Sequence, residues 1–262
     1  MAAVESDALV LRHVRQGDTS HVVTLLARES GRIAVLAKGS RTPGSRFGAG
    51  LDLFTLTRIR YRARPARDLV FLDGCELKRS FSVLARDVIA YAAAGTCAEL
   101  VDRLVPDGGT SAEIFDELLE AWIALAEAVP FPQGEERRAV GLTVAFQLRL
   151  MDHLGIAPEL TGCVACGAAD LEGSTTLSPR RGGLVCRRCR AAEGGRRLGT
   201  ESVELLRQWA FGEPTEAIVA ARTPARGTLL EARAALDAML EYHHHGRPAA
   251  MRSRKFLDDL WR

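Results

Sequence analysis

Lysine is nearly missing from this chain of 262 residues: Lys38, Lys78 and Lys255 are the only lysines among 35 basic residues. So strong a bias reflects a GC-rich coding sequence, so the abundance of arginine says nothing and only its clustering is informative. Aromatic residues are scarce at 6%, which excludes an extended stacking surface. Long apolar runs are absent as well. The longest weakly polar stretch, 88–98, is far short of the roughly 20 residues that span a bilayer. The opening MAAVESDALV carries acidic residues and no apolar core of a signal peptide. A cytoplasmic protein without a membrane partner is expected. No Gly-x-Ser-x-Gly, His-Glu-x-x-His or carboxylate pair at catalytic spacing occurs, so neither an enzyme nor a small-molecule substrate is expected.

What is present is globular. The chain is 47% hydrophobic and 26% charged, outside the ranges of collagen-like, disordered or disulfide-scaffold sequences. A net charge of +2 conceals an uneven distribution. Residues 1–80 hold 14 basic against 8 acidic residues, 81–160 hold 5 against 13, and 161–262 hold 16 against 12. A chain basic at both ends and acidic in the middle is expected to meet a polyanion with one face.

Short apolar runs at 8–14, 22–27, 33–37, 51–61 and 69–72, separated by turn signals at Gly17-Asp18, Ser30-Gly31 and Pro43-Gly44, read as five strands. Five strands in so short a segment predict a closed OB-type barrel, since an open meander would leave two free edges. The period then becomes helical, clearest in Phe115, Leu118, Leu119, Trp122 and Leu125, with Ser111 as N-cap and Pro130 and Pro132 as stops. Acidic residues fall off these apolar stripes and are expected on a solvated face. The fold class is therefore α+β and multidomain. The expected boundaries are an OB-type domain at 1–79, helical segments at 80–160 and 199–262, and a cysteine-rich insertion at 161–198.

That insertion carries the most specific motif: Cys163-Val-Ala-Cys166, nineteen residues, then Cys186-Arg-Arg-Cys189. Two Cys-x-x-Cys knuckles at this separation match a zinc ribbon, in which four thiolates complete a tetrahedron. A closed site cannot activate water, so one structural zinc is expected, ordering a segment too poor in apolar residues to fold alone. Iron in the same cage and a pair of redox dithiols are the alternatives. Arg187 and Arg188 lie between the second pair of cysteines, where they offset thiolate charge or contact nucleic acid.

A second motif is the alternation Arg58-Ile-Arg60-Tyr-Arg62-Ala-Arg64. Period two places all four arginines on one strand face, where phosphates could dock; the alternative is a solvated barrel wall. Lys38, Arg41 and Arg46, in a glycine-rich loop, extend the same basic surface. That loop, Gly39 to Arg46, mimics a phosphate loop but ends in Ser-Arg, contains Pro43 and leads into further strand, so nucleotide hydrolysis is not expected. His243 to His245 before Gly246 and Pro248 read as a helix end. Cys75 and Cys97 read as isolated buried thiols.

Together these features resemble the RecO family of bacterial recombination mediators over nearly the whole chain. The resemblance rests on Ala8-Leu-Val-Leu, the Gly17-Asp18 turn before Val22-Val-Thr-Leu-Leu, and Gly31-Arg-Ile-Ala-Val-Leu-Ala-Lys38-Gly39-Ser-Arg41. The four cysteines, His245-Gly-Arg-Pro and Ser253-Arg-Lys-Phe-Leu complete it. It implies a non-enzymatic factor in DNA repair and recombination that binds single- and double-stranded DNA, anneals complementary strands, and with RecR loads RecA onto strands covered by single-strand-binding protein. Phe47, Phe54, Tyr61 and Phe71 are the only barrel aromatics, so binding should be mainly electrostatic, leaving bases free to pair. The rivals are an OB-fold and zinc-ribbon factor acting on RNA or in transcription, and a nuclease. The nuclease would need a carboxylate cluster that the basic segments lack.

Overall fold

Closure of the N-terminal sheet depends on the length of its first strand. The computed structural model describes residues 3–62, 69–109, 112–132, 136–169, 171, 173, 175–192, 194–211, 224–244 and 251–260. Strand β1 (Ala3–Gln16) pairs antiparallel through residues 3–9 with β4 (Thr55–Arg62), and through residues 8–16 with β2 (Ser20–Ala27). A register shift between Val10 and Arg12 bends the strand where it passes from one partner to the other, as a bulge does. With β3 (Gly31–Ala37) and β5 (Leu69–Ser80), which pair in parallel, the strands close into a barrel in the order β1-β2-β3-β5-β4. Ala8, Val10, Leu25, Val35, Ile59 and Leu72 fill its interior. Each large aliphatic side chain buried there contributes roughly 1.5–3 kcal/mol.

Strand boundaries differ from expectation at β1, which begins five residues early at Ala3, and at β4 and β5. Residues Gly48–Leu51 form a 3-10 turn, and β4 starts only at Thr55. Gly50 lies so close to β5 that a Cβ would come 2.7 Å from Cys75 Sγ, an approach that an extended strand with side chains could not make. Strand β5 runs to Ser80, well past residue 72. Its second half has no apolar alternation, and the strand continues because residues 55–60 of β4 supply its partners.

Helix α1 (Val88–Leu104) is capped by Asp87, whose Oδ1 accepts the N–H groups of Ile89 and Ala90 at 2.9 Å. This contact satisfies two orphan donors of the first turn. It packs with α2 (Ala112–Glu127), and Trp122 donates its indole N–H to Ala94 O at 3.3 Å. The expected cap Ser111 lies outside the described residues. Phe54 has a φ of 58° and sets its ring edge-on to Tyr91 and Trp122, at 5.3 and 5.4 Å between centroids.

The expected acidic face is solvated only in part in this region: Asp102 is largely covered, whereas Asp107 and Asp116 stay well exposed while pairing. Asp102 of α1 pairs with Arg12 and Arg32 of the barrel at 3.1 Å each, Asp107 pairs with Arg32 at 2.8 Å, and Asp116 of α2 pairs with Arg28. The uneven charge of the sequence is thus partly consumed inside the first of two compact units, Met1–Pro130.

The second unit, Phe131–Arg262, begins with α3 (Glu136–His153). It continues through a small antiparallel sheet of β6 (Thr175–Ser178), β7 (Gly183–Val185) and β8 (Arg196–Leu198), ordered β7-β6-β8. Helices α4 (Thr200–Phe211), α5 (Arg226–His244) and α6 (Arg252–Leu260) follow. Arg254 is buried and grips Asp237, which also accepts from Gln147 at 3.1 Å, so α3, α5 and α6 share one polar anchor. The 80–160 helical segment is thereby divided between the two units. Helical period marks a helix and not its partner. Among the described residues no helix is long and apolar enough to cross a membrane.

Candidate metal centre and nucleic-acid interface

The four cysteines converge. The Sγ atoms of Cys163, Cys166, Cys186 and Cys189 all lie within 4.8 Å of one another, and Cys166 and Cys186 are 3.9 Å apart. A tetrahedron of metal–sulfur bonds of about 2.3 Å has edges of roughly 3.8 Å, so the donor set fits a tetrathiolate ion such as zinc. Each knuckle closes on its own backbone: Gly167 N donates to Cys163 O at 2.8 Å, and Arg190 N to Cys186 O at 3.0 Å. The first knuckle is tied to β7 by Val164 N donating to Leu184 O at 2.9 Å. Gly183 permits this, because a Cβ there would meet Val164 Cγ1 at 2.6 Å.

The electrostatics also suit a cation. Burial opposes ionisation of Cys163, yet N–H donors from Cys186, Ala165 and Cys166 outweigh it and hold the thiol down to about 6. Backbone donation from Cys189 lowers Cys186. Cys189 is pushed up to about 12, first by its contacts with Cys186 and Cys166. Cys189 thus resists deprotonation beside its neighbouring sulfurs, and a cation that shared their charge would relieve it. The apolar support is thin, consisting of Cys163, Val185 and Cys186 with partly buried Val164, Ala168 and Leu171.

On β4 the alternation holds through the described residues. Thr57, Ile59 and Tyr61 are buried, while Arg58, Arg60 and Arg62 are exposed; Arg64 lies outside the described residues. Carboxylates flank these arginines. Arg58 lies 3.7 Å from Asp7 and 3.9 Å from Glu5, and Arg62 hydrogen-bonds Asp73 at 3.0 Å. Glu76 stands across the ladder from Arg58 on β5. Arg46 is exposed, with its guanidinium 4.9 Å above the Phe47 ring. Arg187 and Arg188 are exposed, without an ion pair among the described residues.

The end of the barrel at the β1–β2 turn has a different balance. Lys38 is exposed and has no ion pair among the described residues. Arg41 is fastened beside the turn, its backbone N–H donating to Thr19 O at 2.9 Å and its Nη1 to Gly17 O at 3.2 Å. Arg15 is directly across from His21 in the hairpin register, and His13 stacks on His21 at 5.0 Å. His21 Nδ1 lies 3.1 Å from Ser40 Oγ, joining the hairpin to the Lys38 loop. His13, Arg15 and His21 were not among the sequence candidates. They lie at the edges of two apolar runs, and only the hairpin register about Gly17 and Asp18 could have paired them. Of the four barrel aromatics, Phe47, Phe54 and Tyr61 are buried and Phe71 is half exposed.

Comparison with known proteins agrees with this architecture. Residues 1–81 match the family model "Recombination protein O N terminal", and residues 85–252 match "Recombination protein O C terminal". A DNA repair protein RecO from Anaeromyxobacter dehalogenans is 36% identical over 260 residues, covering 99% of this chain and 98% of its own length. Those from Exiguobacterium sibiricum and Symbiobacterium thermophilum are 32% and 30% identical, covering 98% and 99% of this chain and 96% and 98% of their own lengths. The chain belongs to the RecO family of DNA repair proteins.

Proposed function

We propose that this RecO-family chain is a non-enzymatic, zinc-stabilised cytoplasmic mediator. It binds single- and double-stranded DNA, anneals complementary strands and, with RecR, loads RecA onto strands covered by single-strand-binding protein. The observation that carries the reading is the separation of charge from stacking on the barrel. Lys38, Arg41 and Arg15 stand exposed at one end, while Phe47, Phe54 and Tyr61 are buried and Phe71 alone of the four barrel aromatics is half exposed. Such a surface takes hold of phosphates and leaves bases unstacked, which favours the meeting of two strands.

Annealing of complementary strands precoated with single-strand-binding protein, without nucleotide, tests this. Acceleration in proportion to protein is the expected result, and none at any concentration would overturn it. Competition with sequence-matched RNA checks the polymer, because a phosphate-directed surface discriminates weakly against a 2′-hydroxyl. Strong preference for RNA would instead favour an RNA-binding factor.

A further inference from the structure

We propose that His21, stacked on His13, is a proton-gated phosphate contact, which joins Arg15, Lys38 and Arg41 in holding a single DNA strand when its ring is charged. The proposal rests on the DNA-binding reading above and adds to it a subsite and its regulation.

The geometry carries the argument. The two imidazoles stack at 5.0 Å with an interplanar angle of 28°. Cross-strand partners share a face of the ribbon, so Arg15, opposite His21, stands on the side where the rings lie. From the other neighbouring segment come Ser40, 3.1 Å from His21 Nδ1, and the exposed Arg41 and Lys38. The carboxylate nearest in the hairpin is Asp18, exposed in the turn. This contrasts with Arg58 and Arg62 of β4, which Glu5, Asp7 and Asp73 already attend. A polyanion reaching the hairpin end therefore meets guanidinium and ammonium groups with few competing carboxylates.

The same neighbours make His21 responsive. Burial lowers His21 from its ordinary value, and His13, Arg41 and Arg15 press it in the same direction. The ring is thus neutral in neutral solution. A phosphate beside it reverses that balance by favouring the charged imidazolium, so binding takes up a proton. The coupling is reciprocal: lowering the pH must tighten binding.

The test measures binding of a labelled oligothymidylate, whose bases do not titrate in this range, against salt at pH 6.0 and 8.0. Each phosphate contact on a single strand contributes roughly 0.7 to the slope of log K against log salt, so one imidazolium contact at His21 predicts a slope steeper by about 0.7 at the lower pH. Affinity at fixed salt should rise about tenfold or more, since uptake of one proton corresponds to a tenfold change per pH unit within its titration range. The His13→Gln, His21→Gln double variant, with folding checked by circular dichroism, should give equal slopes at both pH values. Proton uptake, read calorimetrically in buffers of different ionisation enthalpy, should disappear with it. Equal slopes in the unaltered protein, or a pH difference that survives in the double variant, would overturn the proposal while leaving DNA binding intact. Failure to bind the oligonucleotide at either pH would remove the DNA-binding reading as well.

Discussion

Arg32 of β3 and Asp102 of α1 meet at 3.1 Å, and Arg12 of β1 reaches the same carboxylate at the same distance. The basic barrel and the acidic helices of the first unit therefore neutralise each other in part. Arginines on this side of the barrel hold helices, which leaves polyanion binding to the hairpin end and to whatever the β4 ladder can release from its carboxylates.

Asp102→Asn should lower stability by about 1 kcal/mol, because Arg32, only 20% exposed, loses one of its two carboxylates and keeps only Asp107, which is itself largely exposed. Chemical denaturation monitored by tryptophan fluorescence checks this. The salt dependence of DNA binding should stay as it was. Arg103, paired with Glu99 at 2.7 Å, is the control: its substitution should alter neither DNA affinity nor annealing.

One zinc per chain is expected by elemental analysis of the purified protein. Cys186→Ser should abolish stoichiometric metal. The same change should open 161–198 to protease while the barrel stays resistant, since the apolar cluster beside the cysteines is too small to order the segment alone. Full metal retention by the variant would refute the four-cysteine assignment.

Thiol chemistry should divide the six cysteines by environment. Burial pushes Cys97 far up, with Glu117 adding to the effect, so it should resist alkylation until the protein unfolds. After chelation Cys166, which is exposed, should react first. Mass mapping of a timed iodoacetamide reaction gives the order, and early labelling of Cys97 would contradict its burial.

If Lys38, Arg41, Arg58, Arg60, Arg62 and Arg64 each neutralise one phosphate, log K should fall against log salt with a slope of about −4. Lys38→Ala with Arg41→Ala should reduce that slope by about 1.4 and weaken all sequences alike, because phosphate contacts carry no base information. Arg58→Ala with Arg62→Ala should change it by less, because Glu5, Asp7 and Asp73 already hold these guanidinium groups. A slope that responds only to Arg187 and Arg188 would move the interface to the cysteine-rich segment.

Features written in short-range pattern were legible from the sequence alone. The Cys163 to Cys189 spacing marked the metal centre because a Cys-x-x-Cys knuckle is closed by its own backbone. The alternation from Arg58 to Arg62 marked a strand face because side-chain direction on a strand has period two. Five apolar runs implied a barrel because a small sheet must dispose of its edges. What depends on contacts between distant segments needed the tertiary structure. The second half of β5 exists only because β4 supplies its partners. Asp102 looked solvated until α1 was set against Arg12 and Arg32. His13 and His21, eight positions apart, became a stacked pair through hairpin register and the Ser40 loop. Local pattern determines which way a side chain points, whereas charge and function depend on what stands opposite, and that is decided only when the chain folds back on itself.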